Sequence, residues 1–557
     1  MTPINQTEDK LQRRLLKIRR KNEETRAQQL ANEVNLPYVN LLITPINPED
    51  VFIIPEEQAR QAQVAVIEKR GKALRLAVKN PKRPETIDLI KEFEAQGYQC
   101  RLFIVSSNSL KRAWEKYSLK QEKSISLRGV FIIPQKELDN FKESIKDIEQ
   151  LGKTINKLTT TQLLTTLLAG SIEMGASDVH LEPEKDDVRL RYRIDGLLQD
   201  VTHFPKENYK FLVSRIKTLS EMILNQADIS QDGRFTVRIA KDNQEPQEID
   251  IRVSILPSSS GESIVMRLLG AENIELNLEE LGLNKKELDK LHQEISQPNG
   301  MILVTGPTGS GKTTTLYACL NYINKPGEKI ITVENPIEYQ LEGITQTQIN
   351  KKKGQDFAQA LRAIVRQDPD ILMVGEIRDQ ESAEIAVQFA LTGHIVFSTL
   401  HTNSAAGAVP RLIDIEVDPS SVASSVNLII AQRLVRRLCD CKEKYEPDKE
   451  VLKDVQKEFK KVSKKATVQP PQEFEFYKAK GCSKCHGLGY KGRVGVFEIL
   501  QVNNEIKEAI LKNPTSFQLQ EEAQKQGMVT LLQSGLIKAS TGVTSLEEVN
   551  RVLGDFE

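Results

Sequence analysis

No run of about 18 apolar residues occurs anywhere in the 557-residue chain, so no segment reads as a membrane-spanning helix. The first thirty residues are dense in charge and lack an apolar signal core, which predicts no secretory leader. Net charge is missing as well. The 77 Lys+Arg balance 77 Asp+Glu, so no global field holds a polyanion, and nucleic acid is not the expected partner. Cysteine is sparse: six residues, four of them in two close pairs, which excludes a disulfide framework and points to a metal. These absences together place the chain in the cytoplasm. Its length exceeds what one core supports, and a multidomain organisation follows.

What is present centres on residues 300–314. The apolar run 301–304 predicts a buried parallel strand, and Gly306, Pro307, Thr308, Gly309, Ser310, Gly311, Lys312, Thr313 and Thr314 then form a P-loop opening a helix. Glycines let backbone N–H groups curl around phosphate, and the helix N-terminus adds partial positive charge. Lys312 is expected on the β/γ-phosphates and the Thr313 hydroxyl on Mg²⁺. Three further apolar strands end in polar groups. They are 329–333 before Glu334-Asn335-Pro336-Ile337-Glu338, 371–374 before Gly375-Glu376-Ile377-Arg378-Asp379, and 394–400 before His401-Thr402-Asn403. Ligands bind at the carboxyl ends of strands in doubly wound sheets, so the four strand ends together predict a nucleotide-hydrolysis site on a RecA-like core.

Ahead of this core, residues 8–34 predict a charged helix with Leu11, Leu15 and Ile18 on one face; it suits an anionic membrane or a partner, or else a solvated face of its own domain. Residues up to about 117 alternate short strands and helices without a catalytic constellation, so contact is their expected work. A linker follows over 121–160. Period-2 alternation in Val188-Arg189-Leu190-Arg191-Tyr192-Arg193-Ile194, repeated over 234–239, 248–254 and 263–269, predicts a small sheet with arginines on one face.

The stretch Val365-Arg366-Gln367-Asp368-Pro369-Asp370-Ile371-Leu372-Met373-Val374-Gly375-Glu376-Ile377-Arg378-Asp379 resembles the signature of the secretion ATPase superfamily, specifically the type IV pilus assembly and type II secretion motor ATPases. Residues 333–338 resemble that family's acidic box and residues 392–403 its histidine box; Asn335 stands where the family carries aspartate. The resemblance implies an α/β, multidomain protein. A small N-terminal α/β domain (1–120) precedes a PAS-like α/β domain (161–275) and a RecA-like P-loop ATPase core (276–437). A four-cysteine metal insert (438–499) and an α-helical C-terminal tail (500–557) follow. It further implies that Arg252 and Arg267 approach the γ-phosphate bound by a neighbouring subunit in a homohexamer, with Arg191, Arg193, Arg234 and Arg238 as alternatives. Glu338 and Glu376 compete for orienting water and holding Mg²⁺, with Glu338 favoured for water, Glu376 for the metal, and His401 for sensing the γ-phosphate.

Cys439, Cys441, Cys482 and Cys485 suit tetrahedral Zn²⁺, although the first pair is C-x-C where the family has C-x-x-C. Cys482 to His486 also spells the haem c attachment pattern, which a chain without an export signal does not use. The implied activity is Mg-ATP hydrolysis driving assembly of a type IV pilus, or a type II secretion pseudopilus. The implied partners are the cytoplasmic part of an inner-membrane platform protein and an accessory membrane-complex protein, with the chain peripheral at the inner face of the cytoplasmic membrane. No Arg-Leu-Gly repeat occurs, so cyclic di-GMP, which some relatives bind through such repeats, is not an expected ligand. Two other classes stay in view: a RecA-like nucleic-acid translocase and a nucleotide-gated scaffold.

Overall fold

The computed structural model describes residues 22–554 apart from isolated positions and the stretches 118–128, 142–146, 241–245, 270–276 and 350–355. The chain divides into two compact units, Met1–Ile133 and Pro134–Glu557.

In the first unit, β1 (Val64–Arg70) and β2 (Ala73–Val78) form a hairpin, and β3 (Gln99–Ile104) joins β2 in parallel through the helix Pro84–Ala95. Val64, Val66, Leu74, Leu76 and Val78 are fully buried, as the alternation of apolar residues requires. Residues 22–33 are helical and bury Ala27 and Ala31. The earlier part of the expected N-terminal helix, with Leu11, Leu15 and Ile18, lies outside the described residues.

In the second unit, helix α1 (Thr160–Glu173) leads into β4 (Ala176–Pro183), β5 (Asp187–Ile194) and β6 (Leu197–Pro205), followed by α2 (Lys206–Leu219), β7 (Gln231–Ala240), β8 (Gln247–Ser258) and β9 (Gly261–Leu269). These strands are antiparallel in the order β7-β8-β9-β4-β5-β6. Along β5 burial alternates strictly, with Val188, Leu190, Tyr192 and Ile194 inward and the arginines on the other face.

The second sheet of this unit comprises β10 (Gly300–Thr305), β11 (Ile330–Glu334), β12 (Thr345–Gln348), β13 (Ile371–Val374), β14 (Ile395–Leu400), β15 (Val426–Leu438) and, beyond the short hairpin β16 (Glu443–Tyr445) and β17 (Phe476–Lys478), β18 (Tyr490–Gln501). Its order is β12-β11-β13-β14-β10-β15-β18, parallel except for β18. Met301 and Leu303 enter the core on one face of β10, Ile302 and Val304 the core on the other. A strand buried on both faces reads as an unbroken apolar run. Residues 490–499 fall in the expected cysteine insert on sequence, yet they form the sheet's outermost strand, because Val494, Val496 and Leu500 pack into the ATPase core. The tail forms Asn504–Leu511, Ser516–Lys525, α4 (Leu531–Ser540) and α5 (Leu546–Leu553), helical as the resemblance implied.

Candidate functional site

The P-loop connects β10 to helix α3 (Lys312–Ile323). Gly306 has φ +150°, and a Cβ there would fall 2.6 Å from the carbonyl oxygen of Gln432 and from Ser310 Oγ. Gly311 has φ +88°, with a Cβ 2.8 Å from Gln432 Nε2. Strand β15 therefore lies against the back of the loop, and only glycine passes between. Lys312 Nζ reaches back to the carbonyls of Gly306 (2.8 Å) and Pro307 (3.1 Å). Burial, then the nearby Arg433 charge, pushes the Lys312 ammonium below its ordinary range, while Glu376 acts the other way.

A cavity of about 760 Å³ opens in front of the loop, bordered by Thr313, Thr314, Glu338, Glu376, His401 and Arg267. Strands β10, β11, β13 and β14 thus bring their carboxyl ends together as the sequence suggested. Glu376, with 12% of its side chain exposed, lies between Arg378 Nη2 at 2.6 Å and His401 Nε2 at 3.3 Å. Glu338 is more open, 3.8 Å from Arg252 Nη1. In the acidic box, Glu334 is buried and accepts hydrogen bonds from Tyr317, from Thr332 Oγ1 at 2.6 Å and from Gln346 Nε2 at 3.2 Å. The following Asn335–Pro336 bond is cis. Glu334 thus anchors the box while Glu338 is presented to the cavity.

The arginine-bearing sheet supplies the opposite wall. Cross-strand register aligns Arg234, Arg252, Arg267, Asp178 and Arg193 in one row over five strands. Asp178 accepts from Arg267 Nε at 2.9 Å and from Ser177 Oγ at 2.8 Å, with Arg193 Nε at 3.3 Å. Burial alone would raise its pKa; the bonds from Arg267 and Ser177 and the two guanidinium charges outweigh that and hold it below the usual carboxylate range. Arg193 and Arg267 border the cavity, and Arg252 Nη2 donates to the carbonyl of Ile337 at 3.2 Å. Arg234 stands further along the row, Arg238 is paired with Glu248 at 2.6 Å, and Arg191 bonds Glu182 at 2.5 Å, so these three are occupied elsewhere or set back. The resemblance implied arginines reaching a neighbour's P-loop; within this chain the row faces its own. Two contacts hold it there: Arg252 on the acidic box, and Gly492 N–H on Asp195 Oδ2 at 3.0 Å. Asp178 was given no role from sequence. Its place in the polar period of β4 was visible, but its pairing with Arg267, 89 residues away, depends on register.

At the far end of β15 the four cysteines come together. Cys439 Sγ lies 3.8 Å from Cys482 Sγ, Cys441 Sγ 3.9 Å from Cys485 Sγ, and Cys482 Sγ 3.7 Å from Cys485 Sγ. Four thiolates about 2.3 Å from a shared tetrahedral ion stand about 3.8 Å apart, so the C-x-C spacing is no obstacle and the donors fit a metal.

A parallel sheet with one strand between the P-loop strand and the strand ending in Gly375-Glu376, faced by a wall of arginines, defines a P-loop ATPase with a built-in arginine-bearing domain. The Type II/IV secretion system protein family matches residues 155–551, and the MshEN domain matches residues 34–124. The chain is 37% identical over 524 residues to the type IV pilus assembly ATPase PilB of Myxococcus xanthus, covering 93% of this chain and 89% of that protein. It is 43% identical over 411 residues to the type II secretion system ATPase E of Vibrio cholerae, covering 74% and 78%. The Legionella pneumophila ATPase DotB aligns at 18% identity with a TM-score of 0.51, over 71% of this chain and 95% of that one, a likeness of fold. The chain belongs to the Type II/IV secretion system protein family, and it is an ATPase.

Proposed function

We propose that the chain hydrolyses Mg-ATP to power extension of a type IV pilus, working as a homohexamer on the cytoplasmic face of the membrane through a platform protein and an accessory membrane-complex protein. The observation that carries the reading is the length of the likeness to PilB of Myxococcus xanthus, 93% of this chain including the N-terminal unit. The likeness to the type II secretion ATPase of Vibrio cholerae is higher in identity but spans 74%, which makes a secretion pseudopilus the second reading. Among the described residues no helix is long and apolar enough to cross a membrane.

Lys312 and the P-loop backbone hold the phosphates, and Arg267 and Arg252 neutralise charge that develops on the γ-oxygens. Glu338, open to the cavity, orients water; Glu376, recessed between Arg378 and His401, serves the metal side with Thr313, and His401 senses the γ-phosphate. Mg²⁺, which Thr313 and Glu376 would hold, would supply neutralisation of phosphate charge. Zn²⁺ is the ion best suited to the four thiolates. Replacing Glu376 with Gln is expected to lower turnover about 100-fold while ATP still binds, and cells carrying it are expected to lose pili. Normal piliation with that variant would leave a nucleotide-gated scaffold as the correct reading.

A further inference from the structure

Outside the nucleotide cavity, another carboxylate is buried, with backbone donors in contact and the Arg433 charge acting on it. Glu498 on β18 is 3% exposed, and its two oxygens accept backbone N–H groups from two distant elements. Oε1 accepts from Ala405 at 2.7 Å and Oε2 from Leu531 at 3.2 Å. A buried carboxylate is tolerated only where donors replace water, so its position is set by these two segments together.

The first segment is the loop that begins at His401. That loop is fixed at three points: Thr305 Oγ1, at the end of the P-loop strand, donates to the Thr402 carbonyl at 2.8 Å; Arg433 Nη2 donates to Asn403 Oδ1 at 3.1 Å; and Glu498 takes the Ala405 N–H. The first two tethers come from β10 and β15, within the ATPase sheet. Of these three hydrogen bonds, the one to Glu498 shares its carboxylate with the tail, where Leu531 is the first residue of α4, capped at Thr530. His401 at the head of the loop faces Glu376.

We infer that Glu498 is a positioning residue that joins the His401 loop to the N-terminus of α4, so that the geometry of the hydrolysis site and the docking of the C-terminal helices change together. The inference rests on His401 working in the site as proposed above. Its mechanical content is specific. A displacement of residues 402–407 pulls on one carboxylate oxygen, and the other oxygen carries it to the first turn of α4. The C-terminal helices thereby become an output of the nucleotide state, or an input to it when a partner grips them.

The test uses the full chain and amide hydrogen exchange beside steady-state hydrolysis. Glu498→Gln keeps one acceptor oxygen and offers an amide donor where the second acceptor stood. It is expected to raise exchange at residues 402–407 and at the start of α4 together, with kcat down about tenfold and KM within about twofold. Leu531→Pro removes a single N–H at a helix position where proline is tolerated and is compared with Leu531→Ala, which loses the same packing but keeps the donor. Faster exchange at 402–407 in the proline variant alone supports the link, since the two variants differ in the residue 531 N–H that Glu498 accepts. Equal exchange at 402–407 in the two Leu531 variants, or a rise confined to one segment in Glu498→Gln, overturns the coupling. Raised exchange at both segments with unchanged kcat overturns the positioning role in hydrolysis.

Discussion

Asp178 holds two arginines at once, with 5% of its own side chain exposed. Its charge is the reason Arg267, itself 63% exposed, has a defined direction at the cavity edge. Asparagine there would accept from one guanidinium and present its amide to the other, so Asp178→Asn is expected to lower kcat/KM for ATP about 10- to 100-fold. The group's folded pKa lies below its unfolded value of about 3.9, so its stabilising contribution is complete above that value and is lost as pH falls through the folded pKa. Thermal unfolding of wild type and Asp178→Asn between neutral pH and about pH 3 should therefore show a gap that is widest at neutral pH and closes in acid; a gap that widens on acidification contradicts the assignment. This residue marks a boundary of what sequence carries. The P-loop glycines, Lys312, Glu338, Glu376 and His401 were legible because chemistry and spacing lie within a few residues of one strand end. Asp178 and Glu498 act on partners 89 and 93 residues away, and no local pattern encodes which strand lies beside which.

Among the elements, the ribbon of β15 and β18 carries the most separate duties. Its inner part packs the ATPase core, with Gln432 against the P-loop, while its outer end leads into the four cysteines. Between them Arg436 stacks 3.8 Å over the Tyr490 ring and bonds the buried Glu548 of α5 at 2.7 Å, which ties the tail to the same ribbon. The stretch from 442 to 481 is rich in lysine and glutamate, yet it buries Val455, Phe459, Ala466 and Phe476 against Leu536, Ile537 and Val549 of the tail, so a metal on the four thiolates adds to a core rather than replacing one. Elemental analysis is expected to find a single zinc per chain. Chelation, or Cys482→Ser, is expected to lower the melting temperature by about 5 °C and to free the β16–β17 hairpin to exchange while the P-loop strand stays protected. Metal-free protein with unchanged melting would show the cysteines to be bystanders. The alternating strands were legible from periodicity, and the helical tail was implied by the family resemblance. The reach of β18 into the ATPase sheet was not, because a glycine-rich start, Gly487, Gly489 and Gly492, reads as the end of the cysteine insert.

For the whole molecule, the arrangement of the arginine row decides how a ring would work. If the arginines that border this chain's own P-loop act there, each chain carries a complete site, and subunits would influence one another by opening or closing it rather than by donating a missing group. The arginine-bearing domain also exposes Phe211 (67%), Leu256 (60%) and Ile223 (57%), apolar surface of the kind that subunit contacts cover. Mixing two inactive variants separates the cases. Lys312→Ala lacks the phosphate-binding cation and Arg267→Ala lacks the arginine. If the arginine acted across the interface, a randomly mixed ring would regain about a quarter of its sites, wherever an intact P-loop met an intact neighbour. If it acts within the chain, every site in every mixed ring lacks one group or the other. The structure predicts that hydrolysis by the mixture stays at the level of the separate variants, measured after exchange of subunits has been verified by differently sized tags. Recovery toward a quarter of wild-type activity would move Arg267 to the neighbouring site and make ring closure, rather than closure within each chain, the step that completes the catalytic group.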